Sequence, residues 1–181
     1  MQATPAGETW VFGYGSLIWD PGFQPAEAVP ARLEGWARSF CMRSIHFRGT
    51  AEAPGLVLAL DATPGASCAG LALRIAPPEV EEVLAALRAR ELISDAYLER
   101  LLPLRLQDGR QVQAIAYVID REGPQYCRLG LAEQAAIIAR AAGARGPNRD
   151  YLYNTVAHLA ALGLHDTDLE ALMSRVRALS A

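Results

Sequence analysis

The chain has few cysteines, few histidines, little net charge and no long apolar run. Each shortage closes off a class of function. Only three cysteines occur in 181 residues, Cys41, Cys68 and Cys127. Their number is odd and their spacing scattered, so no disulfide framework is expected, and the thiols fit a reducing, cytoplasmic compartment. The three histidines, His46, His158 and His165, lie far apart, with no His-Glu-x-x-His or paired-cysteine spacing. No metal site is therefore expected, and each histidine reads as a satisfied structural group. Cys41 near His46 offers a nucleophile and base, but that spacing arises readily by chance. No segment is long and apolar enough to span a bilayer. Residues 1–7, Met-Gln-Ala-Thr-Pro-Ala-Gly, have neither a basic start nor an apolar stretch, so no signal peptide is expected. The net charge of −3 argues against nucleic acid, whose phosphates call for a basic face. The short arginine groups Arg88-Ala-Arg90 and Arg145…Arg149 read as solvated faces or anion contacts. Repeats, low-complexity tracts and linkers are also missing. One domain over residues 1–181 is expected, with residues 1–8 a loose tail.

What is present is a globular composition, half of it apolar. Strands are expected at Trp10–Tyr14, Val29–Gly35 and Arg38–Ile45, where aromatic and β-branched residues lie between breakers. Residues 44–55 are polar and irregular and read as a loop. Leu56–Asp61 and Cys68–Ile75 read as two short strands joined by a turn at Thr63-Pro64-Gly65. Pro77-Pro78-Glu79 opens a helix running to about Arg90, because proline and acidic residues suit the first turn. Tyr97–Leu106 and Val112–Ile119 form a hairpin about Asp108-Gly109. Leu131–Ala142, Asp150–Leu162 and Thr167–Leu179 read as helices. Strands thus dominate the first two thirds and helices the last. That order predicts an α+β fold: a largely antiparallel or mixed sheet, or small barrel, with flanking helices.

Two features carry chemistry. The first is Trp10-Val-Phe-Gly-Tyr-Gly-Ser-Leu-Ile-Trp19. A strand ending in such a glycine loop can aim successive backbone N–H groups at an anion. A dinucleotide reading of Gly13-Tyr-Gly15 fails, because Ile18 stands at the third glycine position and Trp19-Asp20-Pro21-Gly22 interrupts any following helix. Ser16 as a hydrolase nucleophile also fails, because Tyr14 and Ile18 occupy the glycine positions of the elbow. A ligand-free structural turn remains open. The second feature is Glu91. Val80, Leu84, Leu87 and Glu91 recur at i, i+4, i+7 and i+11, so a carboxylate continues an apolar stripe. Such a group needs a partner or a task. The alternative is that the helix ends at Arg90 and Glu91 merely pairs with an arginine. Tyr151 and Tyr153 follow Gly146-Pro-Asn-Arg-Asp at a helix start; they read as core or interface residues, or as hydroxyls sent into a cleft.

The octet Phe12-Gly-Tyr-Gly-Ser-Leu-Ile-Trp19 resembles the opening motif of the ChaC family, the glutathione-specific γ-glutamylcyclotransferases. Ser39-Phe40…Ser44-x-His46-x-Arg48-Gly49…Pro54-Gly55 is similar to that family's second segment. Leu87-x-x-Arg90-Glu91 followed by Tyr97 resembles the segment holding its catalytic glutamate, and Gly146-Pro-Asn-Arg-Asp-Tyr151-Leu152 its late Gly-x-Asn-x-x-Tyr-Leu segment. The resemblance spans about Trp10 to Leu179. It implies a small β-barrel with flanking helices and the conversion of glutathione to 5-oxoproline and cysteinylglycine. It places the ligand loop on Val11, Phe12, Gly13, Tyr14, Gly15, Ser16 and Leu17 and the acid/base on Glu91. Residues 92–96, Leu-Ile-Ser-Asp-Ala, depart from the glycine-rich version of animal members and look closer to bacterial ones.

The implied reaction needs no metal, cofactor or covalent intermediate. The substrate's own α-amine attacks its γ-carbonyl, so holding the folded conformer supplies much of the rate. One carboxylate, Glu91, takes the proton from the amine and returns it to the leaving amine; desolvation makes it a stronger base. Arg48 or Tyr151 is placed to hold the glycine end of glutathione. No nucleic-acid or membrane partner is implied, and the oligomeric state is open. A cyclotransferase for γ-glutamyl amino acids or γ-glutamylamines, and a non-catalytic anion-binding module, stand as alternatives. The stripe position of Glu91 argues against the module, since an anion binder gains nothing from a second negative charge.

Overall fold

The structure is a computed structural model that describes residues 7–181. The expected tail at residues 1–8 falls mostly outside them; of the part described, Glu8 accepts a hydrogen bond from Trp10 Nε1 at 3.1 Å. The chain divides into two compact units. One comprises the described residues up to Arg38 together with Leu60–Asp120; the other comprises Ser39–Ala59 together with Arg121–Ala181.

The first unit contains most of a closed barrel in the order β1-β3-β2-β4-β5. These strands are β1 (Thr9–Gly13), β2 (Glu27–Ser44), β3 (Gly55–Ile75), β4 (Tyr97–Leu106) and β5 (Gln111–Ile119). The barrel is mixed. β1 runs antiparallel to β3, from Thr9 opposite Ile75 to Gly13 opposite Leu71, and parallel to β5, with Trp10 opposite Ala114. β4 and β5 form the expected hairpin, with Gly109 at φ +96° in its turn. Trp10, Val11, Phe12, Leu73, Leu104 and Tyr117 fill its buried positions.

Two expected strand breaks are absent. Val29–Gly35 and Arg38–Ile45 are parts of one 18-residue strand, β2, and Leu56–Asp61 and Cys68–Ile75 are parts of one 21-residue strand, β3. Gly35 and Gly65 sit inside them at φ +85° and +84°. Glycine takes that conformation without strain, so each marks a local bend inside a ladder rather than its end. Strongly twisted barrel strands use such bends.

A 3-10 turn at Pro77–Glu79 leads into α2 (Val80–Glu91). A single helical turn, α1 (Ser16–Trp19), follows the glycine loop, where a plain break was expected. In the second unit, α3 (Leu131–Arg140), α4 (Asn148–Ala161) and α5 (Thr167–Ser180) fall close to their expected bounds. Asp166 caps α5 by accepting a hydrogen bond from the Leu169 amide at 3.1 Å. Two-residue strands, β6 (Ala142–Gly143) and β7 (Gly146–Pro147), pair between α3 and α4. No helix among the described residues is long and apolar enough to cross a membrane.

Candidate active site

The glycine loop is fixed from three sides. β1 keeps its ladder as far as Gly13, so the loop proper is Tyr14-Gly15 before α1 begins. The Tyr14 hydroxyl donates to the Tyr117 carbonyl on β5 at 2.5 Å. Arg38 Nη1 donates to the Tyr14 carbonyl at 3.1 Å and to the Ala69 carbonyl at 2.8 Å. The Ile18 amide turns back to the Gly15 carbonyl at 3.0 Å. Neither Gly13 nor Gly15 lies in the left-handed region. The close approach depends instead on Gly70 of β3, where a Cβ would stand 2.4 Å from the Gly13 carbonyl oxygen and 2.8 Å from the Phe12 ring. The Val11 and Phe12 side chains are fully buried in the core and their backbone lies in the β1–β3 ladder, so the part of the segment beyond the ladder starts at Tyr14.

α2 reaches this loop through apolar packing. Val83 and Leu87 are buried with Val11, Leu17, Ile75 and Tyr117, and Val80, Leu84, Phe23 and Tyr97 pack against that cluster. The stripe ends on Glu91, in the last turn of α2, with its side chain 12% exposed. Glu79, Glu81 and Glu82 are exposed. The link between loop and carboxylate is Arg90. Its Nη1 donates to the Asp20 carbonyl at 2.7 Å and its Nη2 to Ser16 Oγ at 3.0 Å, while its Nε lies 3.3 Å from Glu91 Oε1. One planar guanidinium thus touches both ends of the loop segment and the carboxylate, which suits its fixed fork of donors.

Tyr117 borders the same place. Burial raises its phenol well above the ordinary value, and the charges of Glu99 and Glu91 add to the effect. It stays protonated and donates to Glu99 Oε2 at 3.1 Å. Glu99 in turn accepts two hydrogen bonds from Arg88, each 3.0 Å. The first unit therefore gathers the loop, Glu91, Arg90 and Tyr117. Arg90 and Tyr117 were not singled out from sequence as site residues. Arg90 lies three residues after Leu87 and seven after Val83, which is the signal that would have placed it beside the buried face.

Arg48 and Tyr151 belong to the second unit and meet there. The Arg48 guanidinium stacks over the Tyr151 ring, 5.8 Å from its centroid, and Nη1 donates to the Pro147 carbonyl at 3.1 Å. Arg48 is 6% exposed, and burial is the main reason its pKa falls below the ordinary value. The Tyr151 hydroxyl accepts from the Leu58 amide at 3.2 Å. Asn148 is fully buried; its side chain accepts from the Leu56 amide at 2.8 Å and donates to the Leu56 carbonyl at 2.7 Å. The histidines make local contacts: His158 Nδ1 with the Asn154 carbonyl, and His165 Nδ1 with Glu170.

The family model described as ChaC-like protein matches residues 9–179. A glutathione-specific γ-glutamylcyclotransferase of Escherichia coli K12 is 39% identical over 176 residues, covering 97% of this chain and 75% of its own length. An enzyme of the same name from Schizosaccharomyces pombe is 32% identical, with 92% of this chain and 90% of its own covered. The crystal structure of a γ-glutamyl cyclotransferase specific to glutathione from yeast superposes with a TM-score of 0.86 over 95% of this chain and 96% of that one; at 23% identity this speaks to the fold. Motif, barrel and relatives converge, and the chain belongs to the ChaC family.

Proposed function

We propose that the protein is a γ-glutamylcyclotransferase that cleaves glutathione to 5-oxoproline and cysteinylglycine. The observation that carries this reading is the carboxylate of Glu91, set on an apolar stripe and tied by Arg90 to the glycine loop. Relatives named for this activity, at up to 39% identity, support it.

In the proposed mechanism the loop from Gly13 to Leu17 offers backbone donors to the α-carboxylate of the γ-glutamyl group, or to the oxyanion as it forms. The α-amine attacks the γ-carbonyl carbon. A lactam C–N bond forms, and the C–N bond to cysteine breaks. Glu91 accepts the proton released by the attacking amine and delivers it to the departing cysteinylglycine amine. Both reacting groups belong to one substrate molecule, so the fold's main contribution is to hold the cyclising conformer. No step calls for a metal ion. The three free cysteines suit a reducing, cytoplasmic setting.

The test is incubation of purified protein with glutathione, followed by quantitation of both products. Equal yields of 5-oxoproline and cysteinylglycine are expected; their absence overturns the reading. Glu91→Gln should lower kcat by roughly 10²-fold or more while leaving the fold intact by circular dichroism. Normal turnover in that variant removes Glu91 as the acid/base.

A further inference from the structure

Cys41 and Cys127 are far apart in the sequence and directly opposite each other in the fold. Met42 and Tyr126 pair as an antiparallel bridge. Cys41 is one step back along β2 from Met42, and Cys127 is one step on from Tyr126, so the same register sets the two cysteines against each other. Two backbone hydrogen bonds fix that register. The Cys127 amide donates to the Cys41 carbonyl at 2.9 Å, and the Arg43 amide donates to the Gln125 carbonyl at 2.8 Å. The Gln125 side chain adds a third, from Nε2 to the Arg43 carbonyl at 2.7 Å. Both cysteines belong to the second unit.

Directly opposed residues of an antiparallel pair send their side chains to the same side of the ladder. At a hydrogen-bonded position their Cα atoms stand about 5.5 Å apart. A disulfide needs a Cα separation of roughly 4.4 to 6.8 Å, so the register already satisfies that spacing. Both thiols are free and buried, Cys41 at 2% exposure and Cys127 at 8%. Burial raises the Cys127 thiol above its ordinary value, and the positive charge of Arg43 works against that shift. Arg43 lies two residues beyond Cys41 and so on the same face of β2. The third cysteine, Cys68, belongs to the first unit, where its Sγ meets the Ala69 carbonyl at 3.8 Å.

We propose that Cys41 and Cys127 are a redox-sensitive modification site, a thiol pair that closes to an intrachain disulfide in exchange with a low-molecular-weight disulfide compound. The Cys127 thiol, the more exposed of the two, loses its proton and attacks one sulfur of the small disulfide. A mixed disulfide forms and one small thiolate leaves. The Cys41 thiolate then attacks the Cys127 sulfur, the protein disulfide forms, and the second small thiolate leaves. The protein gives up two electrons and two protons, and the small disulfide takes them up as two thiols. A reducing compartment keeps the pair open, and an oxidising shift closes it. Closure ties β2 to the segment after β5 around a long loop of chain that includes Glu91, and so constrains the unfolded state. A packing role alone, two small apolar side chains filling the core, predicts thiols that never link.

The test equilibrates the folded protein with mixtures of 2-hydroxyethyl disulfide and 2-mercaptoethanol. Neither carries a γ-glutamyl group, so the activity proposed above does not consume them. Samples are acid-quenched, alkylated and mapped by peptide mass spectrometry. The expected result is loss of two alkylatable thiols, with Cys41 and Cys127 recovered as one linked peptide pair and Cys68 still alkylated. The linked form should melt about 5 °C or more above the reduced form, because a long loop is closed. Cys68→Ala should behave as wild type, and Cys41→Ala should stop at a mixed disulfide on Cys127. Folded protein whose thiols stay unlinked at the highest disulfide ratio overturns the proposal. So does linkage through Cys68 or between chains, and so does a linked form that melts below the reduced one. If Cys41→Ala does not fold, the wild-type peptide map decides alone.

Discussion

The guanidinium of Arg90 sets the local geometry of the proposed acid/base. It binds the carbonyl of Asp20 and the hydroxyl of Ser16, and its Nε lies beside Glu91. A lysine presents one point charge and cannot span three such partners. Arg90→Lys should therefore lower kcat by roughly 10- to 100-fold, with a smaller change in KM, because misplaced catalytic groups cost rate before they cost binding. Equal loss of stability and activity, with kcat per folded molecule unchanged, would assign Arg90 to the fold alone. Glu91 was legible in the sequence because its stripe position is a matter of helical period. Arg90 was not, because its partners Ser16 and Asp20 lie 70 or more residues away, and no local pattern encodes them. Gly70 escaped for the same reason: its missing Cβ matters only against Gly13 and Phe12 of another strand.

Among elements, α2 and the β4–β5 hairpin are joined by an ionic chain, Arg88 to Glu99 to Tyr117. The hydrogen bonds from Arg88 hold the Glu99 carboxyl below the ordinary range, against the opposing effect of burial. A depressed carboxylate adds stability above its unfolded value, about 4.3, and loses it as pH falls through the folded value. Glu99→Gln should thus be less stable than wild type at pH 7, and the gap should close as pH drops below about 4. Urea midpoints at pH 7, 4 and 3 measure it. At this scale the helices were the most readable elements, since their period is local and Asp166 caps the start of α5. β2 and β3 were misread as four strands because Gly35 and Pro64-Gly65 carry turn chemistry that the barrel uses as bends.

Taken whole, the chain contains no lysine: all 17 basic residues are arginines. No side-chain amine is available for Schiff-base or amine-base chemistry, which leaves proton transfer to carboxylates, phenols and imidazoles. Substrate breadth is a property of the entire ligand surface. On the proposed function, glutathione should be turned over with a kcat/KM roughly tenfold or more above that of γ-glutamyl-alanine, measured as 5-oxoproline release. Parity between them would favour the broader γ-glutamyl scope.

The side chains of Asn148 and Tyr151 take the place of a neighbouring strand along the start of β3, meeting Leu56 and Leu58. Gly55-Leu-Val-Leu-Ala-Leu60 is uncharged and apolar. Were α4 to lift away, that segment would present open backbone groups on a sticky edge, a template for chain-to-chain pairing. α4 is in this sense a guard against self-association. Asn148→Ala should leave two backbone groups of Leu56 without partners, and light scattering on gentle heating should show it aggregating below the temperature at which the wild type does.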